Sequence, residues 1–167
     1  MNVKLIRSTM LGVAALALGT MTSAASAAEA TLTNVHVCCN SCKKGINTAV
    51  TGAGATAKIE KTTVTVTAAD DAGVKKAVDA LLAAGYYGEG ATAAEAPSDA
   101  KAKSVTVEGV HLCCGKCVDA FNAAVKPAGA TKTDATKNAK TVVVEGDVSA
   151  KAVLDALHKA GFNATVK

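Results

Sequence analysis

The segment His36-Val37-Cys38-Cys39-Asn40-Ser41-Cys42 recurs as His111-Leu112-Cys113-Cys114-Gly115-Lys116-Cys117, at a fixed offset of 75 residues. These two segments hold all six cysteines of the 167-residue chain. Cysteines scattered through a core do not repeat as H-x-C-C-x-x-C, so the motif marks a site, present twice. The repeat also extends outward. Val35 aligns with Val110, Ile46 with Phe121, Val50 with Val125, and Gly54-Ala55-Thr56 with Gly129-Ala130-Thr131. Past an insertion in the second copy, Val64 and Val66 meet Val142 and Val144, and Ala84-Gly85-Tyr86 meets Ala160-Gly161-Phe162. Self-similarity over such a span is a duplication.

Each copy reads as strand, helix, strand, strand, helix, strand. In 104–110, Val105 and Val107 alternate with Thr106 and Glu108, the period of a half-buried strand. The first helix is predicted over 42–50, with Cys42, Ile46, Ala49 and Val50 at helical spacing, matched by Cys117, Phe121, Ala124 and Val125. Gly52 and Pro127 end it. Strands follow at 56–60 and 131–135, then around Val64 and Val66 and at 141–145. The second helix begins near Asp71 in one copy and near Asp147 and Ser149 in the other, residues suited to an N-cap. Gly85 and Gly161 stop it, and Tyr86 or Phe162 opens a last strand. A β-α-β-β-α-β unit is the ferredoxin-like arrangement. The expected fold class is therefore α+β: two tandem ferredoxin-like units, each an antiparallel sheet with two helices on one face. In that layout the strand-to-helix loop carrying the cysteines is exposed at one edge.

The first residues are expected to lie outside this fold. Lys4 and Arg7, an apolar run from Met10 to Leu18, and Ala25-Ser26-Ala27 make up the anatomy of a secretory signal peptide. The run is shorter than the ~20 residues a membrane-spanning helix needs, so no stable membrane anchor is expected after cleavage. The division that follows is 1–28 signal peptide, 29–94 first domain, 95–103 linker and 104–167 second domain, with a periplasmic or secreted location. The formal charge of +4 falls further once Lys4 and Arg7 are removed, which argues against a nucleic-acid partner.

Thiolates are soft ligands that select Cu(I), Zn(II) and similar ions over Mg or Ca. Two cysteines three apart across a strand-to-helix turn can face one metal, and the helix N-terminus lowers the pKa of a thiol placed there. Cys39 with Cys42, and Cys114 with Cys117, stand at that spacing, with Cys38 and Cys113 as third thiols within reach. His36 and His111 recur beside them and are further candidates. His158 has no counterpart in the first copy and reads as surface.

On these residues each repeat resembles a heavy-metal-associated domain, the soft-metal module of copper chaperones, metal-transporting ATPase tails and periplasmic mercury-binding proteins. The resemblance implies the ferredoxin-like fold, with metal held mainly by Cys39 and Cys42 and by Cys114 and Cys117. It also implies that Gly85-Tyr86 and Gly161-Phe162 lie near the metal loop. The loop departs from the family's Gly-Met-x-Cys-x-x-Cys pattern. Gly109-Val110 stands for Gly-Met, Asn34 replaces the glycine in the first copy, and two extra residues bring in an additional Cys and His. A three-sulfur or Cys₃His site follows as an alternative to a two-sulfur one, and would suit Zn(II) as well.

The expected function is an exported, non-enzymatic carrier, chaperone or scavenger of Cu(I), Hg(II) or Zn(II), with Cu(I) favoured and up to one ion per repeat, the sequence leaving open whether the two sites act alone or share an ion. Its partners would be the metal ion and a metal-transporting membrane protein or another carrier. Exported thiols meet oxidants, so a periplasmic thiol-disulfide redox protein is the competing reading. A purely structural C-x-x-C disulfide closes too short a loop to stabilise much. No catalytic constellation supports a hydrolase or transferase: the acids stand singly, Ser and His are not paired by any motif, and there is no phosphate-binding Gly loop, so a non-enzymatic protein is expected.

Overall fold

A computed structural model of the chain describes residues 27–92 and 97–167. Two antiparallel sheets and four α-helices make up the described residues. The first half contains β1 (Ala28–Leu32), α1 (Asn40–Gly52), β2 (Thr56–Glu60), β3 (Thr63–Ala68) and α2 (Asp71–Ala83). The second contains β4 (Lys101–Glu108), α3 (Gly115–Val125), a 3-10 turn (Lys126–Ala128), β5 (Ala130–Thr133), β6 (Thr141–Ser149), α4 (Ala150–Lys159) and β7 (Thr165–Val166). Strand orders are β1-β3-β2 and β5-β6-β4-β7.

The alternation seen in the sequence sets the register. Val64, Val66 and Ala68 of β3 point into the core opposite Leu32, Ala30 and Ala28 of β1. Val142 and Val144 of β6 likewise face Val107 and Val105 of β4. The helices close these sheets with apolar stripes: Cys42, Ile46 and Val50 on α1, and Cys117, Phe121 and Val125 on α3, all buried. Full burial of a side chain such as Ile46 or Phe121 contributes about 1.5–3 kcal/mol. Each of these two stripes begins with a cysteine, so the packing that holds the helix down also holds that sulfur inside.

Asp70, one residue earlier than expected, caps α2 by accepting from the Gly73 amide at 2.7 Å. Ser149 caps α4 through the Ala152 amide at 3.1 Å, while Asp147 stays in β6. The expected linker 95–103 is shorter than predicted, because β6 extends far enough for Lys101 and Ala102 to pair with Ser149 and Val148. Ala28, assigned to the signal peptide, pairs with Ala68 in β1; the rest of that segment up to residue 26 lies outside the described residues. Among the described residues no helix is long and apolar enough to cross a membrane.

The last strand expected in the first half is replaced by single bridges, Thr33 with Glu89 and Tyr86 with Phe162. In the second half β7 takes that place, with Val166 buried opposite Val107. Gly90 stands where Val166 does and adopts φ +102°, outside the extended region, so pairing ends at Glu89.

The Tyr86–Phe162 bridge joins the two halves. The Tyr87 amide donates to the Gly161 carbonyl at 3.1 Å and the Asn163 amide to the Gly85 carbonyl at 3.0 Å. Gly85 and Gly161 have φ +86° and +79°. A Cβ at Gly85 would lie 2.6 Å from the Gly109 oxygen and the His111 nitrogen of the other half, and one at Gly161 would strike His36 and Asn34. His158, expected at the surface, stacks on Tyr87 with ring centroids 3.9 Å apart. Gly85→Ala or Gly161→Ala combines left-handed backbone strain with a collision against rigid backbone. Each is expected to cost at least about 2 kcal/mol in urea unfolding, whereas Gly52→Ala, at a position with open space around it, should not destabilise the fold.

Candidate metal centre

The cross-half contact carries the two H-x-C-C-x-x-C turns to one place. Within the first turn and its helix, Cys38 and Cys39 lie 3.7 and 3.6 Å from Cys42, sulfur to sulfur. The second turn repeats this at 3.6 Å for both Cys113 and Cys114 to Cys117. Between turns, Cys38 lies 3.7 Å from Cys114 and 3.5 Å from Cys117. Cys39 and Cys42 lie 3.6 and 3.5 Å from Cys113, and Cys42 lies 3.8 Å from Cys117. The two loops, expected to be exposed, are instead packed against each other. All six sulfurs form one cluster, in which Cys42 and Cys117 are buried and the other four half-buried. The cause is local: each turn shields its cysteines only on its own side, and the facing turn covers the rest.

Cys39 and Cys114 occupy the N-cap positions of α1 and α3, in extended backbone, without a standard capping hydrogen bond. The amide of Cys42 nonetheless favours the thiolate of Cys39 and holds it down to about 6, and the Cys117 amide lowers Cys114 in the same way. Burial raises Cys38, Cys113 and Cys117. Two thiols lowered at the helix starts thus stand beside three raised by burial, which limits the charge the cluster gathers.

The two histidines sit on rings supplied by the opposite half. His36 stacks on Phe162 at 4.2 Å and 25°, and His111 on Tyr86 at 4.4 Å and 32°. Tyr86 and Phe162 are core residues, 2% and 1% exposed, and also the supports of these imidazoles. The Tyr86 hydroxyl donates to the Cys42 carbonyl at 3.1 Å and lies 2.8 Å from His111 Nε2. With its proton on that carbonyl, the hydroxyl accepts from His111 Nε2–H. Phe162 has no hydroxyl, and His36 Nε2 is buried without a partner. Burial lowers both histidines, which keeps the neutral ring that binds metal. The structure places a ring nitrogen of His36 within 4.8 Å of the Cys38 and Cys117 sulfurs and groups His111 with no such set. Asn34, standing for Gly109, takes the same left-handed backbone with φ 60° and donates to the Lys159 carbonyl at 2.9 Å.

One position escaped the sequence reading. A Cβ on Gly45 would overlap the Tyr86 hydroxyl, and the position 75 residues on is Ala120, paired with Phe162 instead of tyrosine. The Gly45/Tyr86 and Ala120/Phe162 combinations were both visible in the repeat, but only the packing connects them.

No protein-family model and no curated protein matches the chain. Among solved structures, the solution structure of the N-terminal soluble domains of Bacillus subtilis CopA matches over 86% of this chain and 95% of that one, at 17% identity and a TM-score of 0.31. What the centre can do follows from its own donors. Three sets of three cysteines, Cys38, Cys39 and Cys42; Cys39, Cys113 and Cys114; and Cys42, Cys113 and Cys117, bring their sulfurs within 4.8 Å of one another. Soft donors this close, drawn from both turns, suit a soft metal ion.

Gly45→Ala gains about 1 kcal/mol of helix propensity but overpacks Tyr86 by about 1–3 kcal/mol. Net destabilisation is expected in urea unfolding, and Tyr86→Phe in the same chain should relieve the clash, seen as a positive coupling in a double-mutant cycle. Iodoacetamide labelling of the reduced protein at pH 7, read by peptide mass spectrometry, should modify Cys39 and Cys114 first. Because the thiolate is the nucleophile, the Cys39 rate should fall as pH drops through about 6, while Cys38 and Cys113 speed up only in strong alkali.

Proposed function

We propose that this protein is an exported, non-enzymatic carrier or scavenger of soft metal ions, built from two tandem ferredoxin-like units that share one six-thiol centre. The convergence of all six cysteines supports the reading most directly. A duplication whose cysteine turns acted separately would gain nothing from burying them against each other, at the cost of desolvating six polarisable, ionisable groups. A bound soft cation recovers that cost by taking the thiolates as ligands and neutralising them.

The gradient within the centre suits transfer. Cys39 and Cys114 are the two thiols whose pKa is lowered, and they lie half-exposed at the helix starts, where they can meet an arriving ion first. Cys42 and Cys117, at 0% exposure, hold it from below. Ligand exchange with the thiols of a metal-transporting membrane protein or another carrier would reverse the same steps. Resemblance to the heavy-metal-associated modules, in the C-x-x-C at the helix start and the glycine-aromatic pair after the second helix, points the same way. Cu(I) is the favoured cargo, with Hg(II) and Zn(II) as alternatives. The lowered Cys39 thiol also serves the competing reading, thiol-disulfide exchange in an oxidising compartment.

A shared centre and two independent ones differ under mutation of one half. Cys39→Ser with Cys42→Ser, leaving the second turn intact, is expected to abolish well over half of the bound Cu(I) in elemental analysis after dialysis against a competing chelator. Retention of half would mean that the turns bind separately, and unchanged binding would remove the metal reading. Insulin reduction assays should show no catalysis by the unmodified protein; measurable turnover would favour the redox reading.

A further inference from the structure

The sulfurs are not merely close; their neighbour relations define a polyhedron. To the contacts of 3.5–3.8 Å, the metal-competent triplets add Cys38 with Cys39, and Cys114 with both Cys39 and Cys113, within 4.8 Å. Each sulfur then adjoins every other but one: Cys38 is set opposite Cys113, Cys39 opposite Cys117, and Cys42 opposite Cys114. That is the connectivity of an octahedron.

An octahedron has no four vertices that all adjoin one another, so this connectivity favours three-sulfur faces over the tetrahedral four-sulfur site that Zn(II) takes. It offers triangles. One set of alternate faces consists of Cys38–Cys39–Cys42, Cys39–Cys113–Cys114, Cys42–Cys113–Cys117 and Cys38–Cys114–Cys117. Together these faces use every edge once and every sulfur twice. Three of them are the metal-competent triplets already named, and the fourth has edges of 3.7, 3.5 and 3.6 Å. A triangle with such edges has its centre about 2.1 Å from each sulfur, close to the ~2.3 Å of a metal–thiolate bond.

Charge selects the ion. Six thiolates and four monovalent ions carry a net −2, whereas four divalent ions would carry +2 and each want a fourth ligand. A residual −2 is well placed at the N-termini of α1 and α3, beside the exposed Lys43, Lys44 and Lys116. Resting on the soft-metal reading above, we propose that the centre binds Cu(I) as a tetranuclear cluster. One ion occupies each alternate face, held by three thiolates, and each thiolate bridges two ions. Assembly is an acid-base exchange: six thiols and four Cu(I) give the −2 cluster and six protons, with no change of oxidation state.

The test is anaerobic titration of the reduced full-length protein with Cu(I) buffered by a competing chelator, followed by native mass spectrometry and X-ray absorption. The expected result is a direct passage from the metal-free to the four-copper species, with three sulfurs per copper and a short copper–copper path. Saturation at one or two coppers without that path overturns the cluster and leaves the soft-metal reading standing; failure to retain copper overturns both. Cys38 and Cys113 are opposed, and every occupied face contains one of the two. Cys38→Ser with Cys113→Ser spares both C-x-x-C pairs yet should reduce the load from four coppers to two or fewer; retention of four would overturn the proposal.

Discussion

Everything at the centre depends on the antiparallel contact between Gly85-Tyr86 and Gly161-Phe162. Two backbone hydrogen bonds, Tyr87 to Gly161 and Asn163 to Gly85, hold the helix-to-strand turn of each half against that of the other. The glycines let the backbones approach to a distance no side chain would allow. With the turns so placed, each half slides an aromatic ring beneath the other half's histidine, and the two cysteine turns have nowhere to lie except against one another. Burial of Cys42 and Cys117 at the junction and the close sulfur spacing between the turns follow from that contact, whereas the lowering of Cys39 and Cys114 comes from the amides of their own turns.

The two sides are related but not equal. On one side a tyrosine hydroxyl links His111 to the Cys42 carbonyl, so that this imidazole is oriented and its Nε2 is occupied. On the other side phenylalanine supports His36 without a hydrogen bond, leaving its Nε2 buried without a partner and a ring nitrogen within 4.8 Å of the Cys38 and Cys117 sulfurs. Gly45 and Ala120 follow the same division, since only the tyrosine needs room at its tip. One half has given its histidine a structural partner, and the other has kept a ring nitrogen in reserve at the sulfur cluster.

Regular elements were legible because their signals are local. The alternation of Val64 and Val66 with threonine, and the spacing of Ile46 and Val50 or Phe121 and Val125, each reach only across a strand pair or a helix face. Where local signals are weak the outcome differs in detail: α2 starts at Asp71 as expected but its cap is Asp70, and Gly90 ends the pairing that Tyr86 was expected to open. Lys101 and Ala102 joined β4 because β6 offered them partners.

By itself, the sequence carried the repeated H-x-C-C-x-x-C motif and the positions of most strands and helices, since these are encoded in spacings of a few residues. It could not determine how the copies meet. The 3.8 Å contact between Cys42 and Cys117 spans 75 residues, and no periodicity within either copy specifies the docking of one against the other. That was decided by tertiary structure, through the shape of two glycine-aromatic turns that pair with each other, and it brought the two cysteine turns into one cluster.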